Sequence, residues 1–177
     1  HDGKHLYLLQ CRPQAHSKDL LPAHIPLDIP QDDVLFRANR HISNGYIPDI
    51  THLVYVDPDA YQELGTLEEC KEVGAAIGKL NKLLPKKSFI LIGPGRWGSR
   101  GDIKLGVSVT YADINKTAAL IEIARKRGQY VPELSFGTHF FQDLVEASIR
   151  YIPLYLDNDT ASFNWNFFHS STNYLAD

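Results

Sequence analysis

Ser88-Phe89-Ile90-Leu91-Ile92-Gly93-Pro94-Gly95 is the stretch that decides the fold, because an apolar run passes straight into glycine and proline. Consecutive apolar residues bounded by turn residues predict a buried strand. Immediately before it, residues 66–85 carry apolar side chains at spacings of three and four, the pattern of an amphipathic helix. A helix that leads into a buried strand indicates a domain in which α and β structure are mixed.

The sequence marks both ends of this helix. Thr66-Leu67-Glu68-Glu69 is a capping box, in which the Thr66 hydroxyl and the Glu69 carboxylate each accept a hydrogen bond from a backbone amide. Pro85 ends the helix. The predicted buried face consists of Leu67, Cys70, Val73, Ile77, Leu80 and Leu84.

The segments around this unit complete a predicted order of elements. Residues 52–56, 105–111 and 151–156 each predict a strand, and Thr138 is expected to cap a helix that runs to about residue 148. Residues 117–125 fit a strand or a helix, and we prefer the strand. The order β-α-β-β-β-α-β predicts an α+β fold, with a mainly antiparallel sheet and two helices on one face.

The first 33 residues are expected to lie outside this domain. Residues 1–13 contain a short apolar run after Asp2-Gly3, a hairpin-turn pair, and predict the last strand of another unit. Residues 14–33 are rich in proline and predict an extended connector. Residues 34–177 form the α+β accessory domain. The chain contains no methionine, so we expect it to be a piece of a longer protein.

Composition narrows the classes of partner. The net charge of −3 offers no basic excess for a nucleic-acid backbone, so we expect no nucleic-acid partner. We also expect no membrane partner, since no apolar run approaches the roughly 20 residues that span a bilayer. Cys11 and Cys70 are far apart in the sequence and match no metal-ligand spacing, which favours a reducing cytoplasm and no metal site.

The segment after the buried strand is the first candidate site. Residues 93–102 hold four glycines, which bring backbone amides close to a ligand, and two arginines, whose planar forks suit phosphate or carboxylate. We therefore predict an anion pocket that uses Gly95, Arg96, Ser99 and Arg100. In the alternative, Arg96 pairs with a carboxylate of the protein and Trp97 is a core residue.

A second candidate lies at the start of the predicted C-terminal helix. Ser135, Thr138 and His139 surround a helix N-terminus, where free amides and the helix dipole favour an anion. In the alternative, Thr138 is only an N-cap and His139 is half exposed. The two candidate segments could meet at one site. No catalytic residue is assigned, because no Ser-His-Asp set stands out, and His41, His52 and His169 are expected in packing roles.

Tyr7-Leu8-Leu9-Gln10-Cys11-Arg12-Pro13 resembles the closing strand of the nucleotide-binding domain in the phosphoenolpyruvate synthase and pyruvate phosphate dikinase family. That domain has an ATP-grasp fold. The resemblance implies that Gln10 and Arg12 line the phosphate and metal end of an ATP pocket. It also implies ATP and Mg²⁺ as cofactors of the parent protein, and none for this fragment alone.

Residues 93–99 and 135–141 are similar to segments found after the ATP-grasp part in a subgroup of this family. The family's phosphohistidine domain and its phosphoenolpyruvate/pyruvate barrel have no counterpart in this chain. The resemblance therefore implies a C-terminal region of an ATP-dependent phosphotransferase that is not catalytic alone. Its expected partners are the rest of the parent chain, with the ATP-grasp domain, and a small anionic ligand, and a homo-oligomer is left open.

Two other readings compete with a ligand-binding fragment. The first is a structural docking or dimerisation module that uses the aromatic tail, residues 163–174. The second is a hydrolase with His139 as its base, which we favour least because no nucleophile is placed for it.

Overall fold

The computed structural model describes residues 23–42, 45–99, 106–124, 133–157 and 160–176. Short 3-10 turns lie at Gln31–Asp33 and Tyr111–Asp113. The regular elements of the described residues are, in chain order, β1 (Phe36–Arg37), β2 (His52–Tyr55), α1 (Pro58–Glu63), α2 (Leu67–Leu83), β3 (Phe89–Pro94), β4 (Ala119–Ala124), α3 (His139–Glu146), β5 (Arg150–Tyr155), β6 (Ser162–Phe163) and α4 (Trp165–Ser170).

The main sheet has four strands in the order β2-β3-β4-β5, and every neighbouring pair is parallel. Only the short β1–β6 pair is antiparallel among the described strands. The mixed α and β class is confirmed, but the prediction of a mainly antiparallel sheet is wrong. The central strands β3 and β4 are buried on both faces and read as nearly continuous apolar runs, which is the pattern of parallel sheets.

The strand predicted at residues 105–111 is the source of that error. Leu105 lies outside the described residues, Gly106 forms only an isolated bridge with Gly95, and residues 107–110 join no strand. Val107 and Val109 are buried because this extended segment lies against helices: the carbonyl of Ser108 approaches Gly74 of α2 so closely that a methyl group would not fit there. Alternating burial therefore arose from packing on helices rather than from strand pairing.

One face of the sheet carries α1, α2 and α3. Phe89, Leu91, Leu120 and Tyr151 point from the strands into a core with side chains of these helices, among them Cys70, Ile77 and Leu144. Each buried side chain of this size adds about 1.5–3 kcal/mol to the hydrophobic stabilisation. This face therefore holds the larger core of the molecule.

The other face of the sheet is covered by the C-terminal residues. Phe163 of β6 and Phe168 of α4 stack with ring centroids 4.5 Å apart, and Phe163 belongs to the core formed with Ile92, Ile121 and Leu154. The aromatic tail thus packs back onto its own domain. Phe167, Tyr174 and Leu175 remain exposed.

Local signals account for the helix boundaries. The predicted capping box of α2 is present, and the Thr138 hydroxyl accepts a hydrogen bond from the Phe141 amide at the start of α3. The ambiguous segment 117–125 contains strand β4, as preferred. The prediction of two helices is wrong, because the described residues also form α1, which Asp57 caps and Pro58 opens, and α4, which Asn164 caps.

Of the residues before β1, residues 23–30 contribute little to this core. Residues 1–22 lie outside the described residues, so the predicted strand at residues 1–13 is not seen. Along residues 23–30 the chain has no regular structure, and Leu27 is 98% exposed. No helix among the described residues has the length and apolar character that a membrane span requires.

Candidate functional site

The two predicted candidate segments line one cleft, which we call the α3 cleft. It has a volume of about 1130 Å³ and lies between the loop after β3, the segment before and within the Tyr111–Asp113 turn, and the first turns of α3. Its lining includes residues 96–99, 108–113, 137–140, 142 and 143. The meeting of the two segments, left open by the sequence, is therefore found in the structure.

A direct contact joins the loop to the helix. Gly98 has a φ of +69°, which favours glycine, and a methyl group placed on it would lie 2.6 Å from the Phe140 ring of α3. Gly95, with a φ of +62°, donates its amide to the Ile123 carbonyl and bridges to Gly106. Glycines here serve close packing of the loop on its neighbours.

Beneath the cleft lies a fully buried acid, Glu122 of β4. Its carboxylate accepts hydrogen bonds from the Trp97 amide at 2.8 Å and from the Tyr151 hydroxyl at 2.7 Å. It also accepts from both the amide and the hydroxyl of Ser135, each at 2.6 Å. One side chain thus ties the loop after β3 and the turn before α3 to strands β4 and β5.

Burial governs the protonation of this acid. Desolvation raises the pKa of Glu122 to about 7, and hydrogen bonds from Ser135, Tyr151 and Trp97 oppose a further rise. The Ser135 hydroxyl also lies 3.0 Å from the Trp97 carbonyl. Because a hydroxyl has one proton, it can donate to that carbonyl and accept a hydrogen bond from the Glu122 carboxyl when the acid is neutral.

Several predicted anion-binding residues are already engaged within the protein. Arg96 Nη1 lies 2.9 Å from Glu133 Oε2, which is the pairing that the alternative reading expected. Ser135 is buried on Glu122 and is not among the residues that line the cleft, so its role as a ligand contact stays a prediction. Thr138 donates to the Ser135 carbonyl and caps α3, and Gly95 is absent from the lining.

Other predicted residues remain available or lie outside the description. Ser99 and the exposed His139 line the cleft. The amides of His139 and Phe140 have no acceptor among the residues that the structure describes. Arg100, Gln10 and Arg12 lie outside the described residues.

The charges of the cleft are mixed. Asp113 and Asp143 line it together with Arg96 and His139. Asp113 accepts hydrogen bonds from the amide and the hydroxyl of Thr110, whereas Asp143 is exposed. With as many acids as basic side chains in its described lining, the cleft suits a small anion better than a polyphosphate.

Two buried polar atoms belong to residues of the cleft lining. Trp97 Nε1 and Gln142 Oε1 have no hydrogen-bond partner among the described residues. Buried polar atoms in native proteins nearly always have a partner, which is often water or a bound molecule. The cleft residues therefore retain one donor and one acceptor that the described protein does not satisfy.

Sequence reasoning missed Glu122 and Tyr151, the residues that hold the cleft together. The signal was present, because Glu122 is the only charged residue in Ala119–Ala124. A charge within such an apolar strand needs buried partners. Tyr151 gave no comparable signal, since a tyrosine is ordinary in a buried strand.

The three isolated histidines each contact a neighbouring side chain of the domain. His41 stacks on Phe136 with centroids 4.3 Å apart, and His52 Nδ1 lies 2.8 Å from the Thr51 hydroxyl. His169 of α4 contacts Asp57 at 2.9 Å and so links the tail to the end of β2. Burial works to raise the pKa of Asp57, but hydrogen bonds from Ala60, His169 and Asp59 lower it overall.

No group of three or more His, Cys, Asp or Glu side chains within the described ranges is arranged to hold a metal ion. In comparisons with known proteins, no family model, no curated protein and no solved structure matches this chain. The resemblance to the phosphoenolpyruvate synthase and pyruvate phosphate dikinase family therefore stays a prediction.

Proposed function

We propose that the α3 cleft binds a small anionic ligand, and that the chain is the C-terminal region of a phosphoenolpyruvate synthase/dikinase-like phosphotransferase. One observation carries the ligand proposal: Arg96, Ser99 and the free amide end of α3 line a single cleft. A helix N-terminus attracts an anion through its unpaired amides and its dipole. Phosphate and carboxylate groups are the chemistry that this set of donors recognises.

The ligand competes with the protein for Arg96. Glu133 is more exposed than Arg96, with side-chain exposures of 68% and 33%, and such a surface pair is worth less than about 1 kcal/mol. An incoming anion therefore displaces Glu133 at small cost. His139 supplies a second donor on the first turn of α3.

Thermal unfolding with added phosphate, pyruvate and phosphoenolpyruvate tests the ligand proposal. A ligand at about 100 times its dissociation constant stabilises the protein by roughly 2.7 kcal/mol, a shift of several degrees at this size. The shift should vanish in the Arg96→Gln/His139→Gln double variant. Arg37→Gln is the matched control, because Arg37 is exposed on β1 and absent from the cleft lining. No shift with any of the three anions contradicts the proposal.

The parent activity rests on the resemblance alone. ATP and Mg²⁺ would be bound by the ATP-grasp domain, with Gln10 and Arg12 on its last strand, and residues 14–33 would connect it to the α/β domain. We place the protein in the cytoplasm. A longer protein that carries this chain should transfer phosphate from Mg-ATP and should lose that activity with Arg12→Ala. Unchanged turnover in that variant contradicts the assignment.

The alternative, a docking or dimerisation module built on the aromatic tail, draws less support. Phe163 and Phe168 already cover the sheet within the chain, and Trp165 packs against Phe163 with centroids 4.5 Å apart. Replacing Trp165 would therefore disturb the fold itself. Light scattering over a range of protein concentrations separates the alternatives. A dimer that forms in a chain whose thermal unfolding is not shifted by any of the three anions favours the docking module.

A further inference from the structure

A second cavity lies on the other side of α3, and we call it the aromatic groove. It has a volume of about 790 Å³ and runs between residues 41, 42 and 46–49, the start of β3 and β5, and α3. Its lining comprises His41, Ile42, Tyr46, Ile47, Pro48, Asp49, Lys86, Lys87, Ser88, Ala118, Phe136, Phe141, Val145, Ser148, Ile149, Arg150 and Tyr151. None of the residues predicted from the sequence to bind a ligand belongs to it.

Aromatic rings form a continuous wall of this groove. His41 stacks on Phe136 at 4.3 Å, Phe136 contacts Phe141 at 5.1 Å, and Phe141 meets Tyr151 edge to face at 5.2 Å between centroids. Ring surfaces arranged in this way offer both faces and edges to another aromatic ring.

Large apolar side chains are exposed along the same groove. Ile42, Tyr46, Phe136 and Val145 are between 42% and 70% exposed, although each lines the cavity. Single exposed apolar residues are ordinary, but a cluster of them around one concave surface marks a binding site. An apolar body of a ligand would remove these side chains from water.

Cationic side chains lie where β3 and β5 begin. Lys86, Lys87 and Arg150 line the groove, against one acid, Asp49, in its described lining. Lys87 is held by the end of α3, since its Nζ donates to the carbonyls of Ala147 and Ser148. Neither Lys86 nor Arg150 has a carboxylate partner among the described residues.

Arg150 is held at the groove by its packing. Its guanidinium lies against Gly45, so closely that a methyl group on Gly45 would overlap it. Its backbone amide donates to the Ala118 carbonyl at 3.0 Å, which fixes the start of β5. A planar guanidinium positioned in this way suits a carboxylate, and the adjacent rings suit an apolar body.

We propose that the aromatic groove binds an aromatic organic acid, with its ring on Phe136 and Phe141 and its anionic group on Arg150 and Lys86. An aromatic acid fits this groove because the described lining combines a wall of rings with an excess of positive charge. It is independent of the α3 cleft, which is lined by a different set of residues.

The test uses two fluorescent probes with nearly the same aromatic body. One is 8-anilinonaphthalene-1-sulfonate, which is an anion, and the other is N-phenyl-1-naphthylamine, which is neutral. The full chain should bind the anion at least about tenfold more tightly, as expected for one charge-assisted contact. Equal affinity for the two probes would overturn the proposal.

Three variants locate the site. Arg150→Gln should weaken the anionic probe about tenfold, and Lys86→Gln about threefold, while each changes the neutral probe less than twofold. Val145→Glu, on an exposed position of α3, should also reduce binding of the anion. Lys79→Gln is the matched control, because Lys79 is exposed on α2 and lies outside the groove.

Lys86→Gln and Val145→Glu alter exposed positions, so they keep the test valid if Arg150→Gln fails to fold. Unchanged binding of the anionic probe in both of these variants overturns the proposal. A second copy of the chain as the occupant would appear as probe affinity that falls with rising protein concentration, and that result also overturns it.

Discussion

The α3 cleft and the aromatic groove lie on two sides of one short helix, yet they use polar side chains in opposite ways. In the cleft, Arg96 is paired with Glu133 and Thr138 caps the helix. In the groove, Lys86 and Arg150 have no carboxylate partner among the described residues. A dense run of polar residues in a sequence therefore shows how many hydrogen-bond donors exist. It does not show how many of them are left without a partner in the folded protein.

The cleft and the groove differ because different interactions hold their linings in place. The cleft is built from two loops that need their own polar groups to be held in place, and buried Glu122 supplies the common acceptor. The groove is built from strand starts and rings, which are held by packing. Lys86 and Arg150 are therefore not needed to hold the groove together, and they can contact a ligand.

Of the changes considered, removing the Glu122 carboxylate should lower the free energy of unfolding the most. Glu122→Ala leaves the Trp97 amide, the Ser135 amide and hydroxyl, and the Tyr151 hydroxyl without their acceptor. Each buried donor that loses its acceptor costs about 1–3 kcal/mol, so the free energy of unfolding should fall by about 3–5 kcal/mol. Urea denaturation measures it, with Glu72→Ala on the exposed side of α2 as the control, which should change stability by less than about 0.5 kcal/mol. A loss below 1 kcal/mol would contradict the role assigned to Glu122.

The pH dependence of stability should reveal the same residue. The carboxyl has a pKa of 4.5 when solvated and about 7 when folded, so between these values the unfolded chain has lost a proton that the native chain keeps. The stability contribution of Glu122 is therefore full below pH 4.5 and is lost as the pH rises to about 7, by about 3 kcal/mol in total.

Glu122→Gln should remove this slope, as denaturation at pH 5 and pH 7 would show. Asp57, whose pKa is lowered, acts in another window, because its contribution is lost as the pH falls below its solvated pKa of 3.8. Identical slopes between pH 5 and pH 7 in the native protein and in Glu122→Gln would rule out Glu122 as the titrating group.

Substituting two glycines of the cleft should lower stability by smaller amounts, and the two substitutions can be compared directly. Gly98 and Gly137 both have positive φ, but a methyl group on Gly98 meets the Phe140 ring, whereas one on Gly137 has nothing within 4 Å. Gly137→Ala should cost only the backbone penalty of about 1–2 kcal/mol. Gly98→Ala should cost about 1–3 kcal/mol more, because the loop and α3 must separate. Equal losses on thermal unfolding would show that the loop moves away freely.

Removing the carboxylate partner of Arg96 should leave the cleft with an unpaired cation, as in the groove. This change should have the smallest effect on stability. Glu133→Gln removes the exposed partner of Arg96 at a cost below about 1 kcal/mol. It should raise the affinity for phosphoenolpyruvate severalfold, since the anion no longer competes with a carboxylate. Titration calorimetry measures the change, and Arg96→Gln should shift affinity the other way. Unchanged affinity in Glu133→Gln would place the anion away from Arg96.

Local pattern was sufficient where a signal depends on neighbours in the chain. The capping box at Thr66 and Glu69, the cap at Thr138 and the buried strand at residues 88–92 could all be predicted, because each uses contacts within a few residues. The direction of the strands could not. Parallel pairing depends on which elements cover the sheet, and the extended segment 106–110 looks like a strand while it packs on α2.

The sequence by itself determined helix α2, strands β2, β3 and β5, the glycine-rich loop and the caps, because propensity and short-range hydrogen bonds decide them. Only the tertiary structure decided that Glu122 meets Trp97, Ser135 and Tyr151, and that Arg150 and Lys86 border a wall of rings. These contacts join residues far apart in the chain, and they form only when the sheet and its crossover segments pack together. Burial then raises the pKa of Glu122, and ion pairing decides which charged side chains can still contact a ligand. The fold, rather than a sequence motif, therefore defines the site.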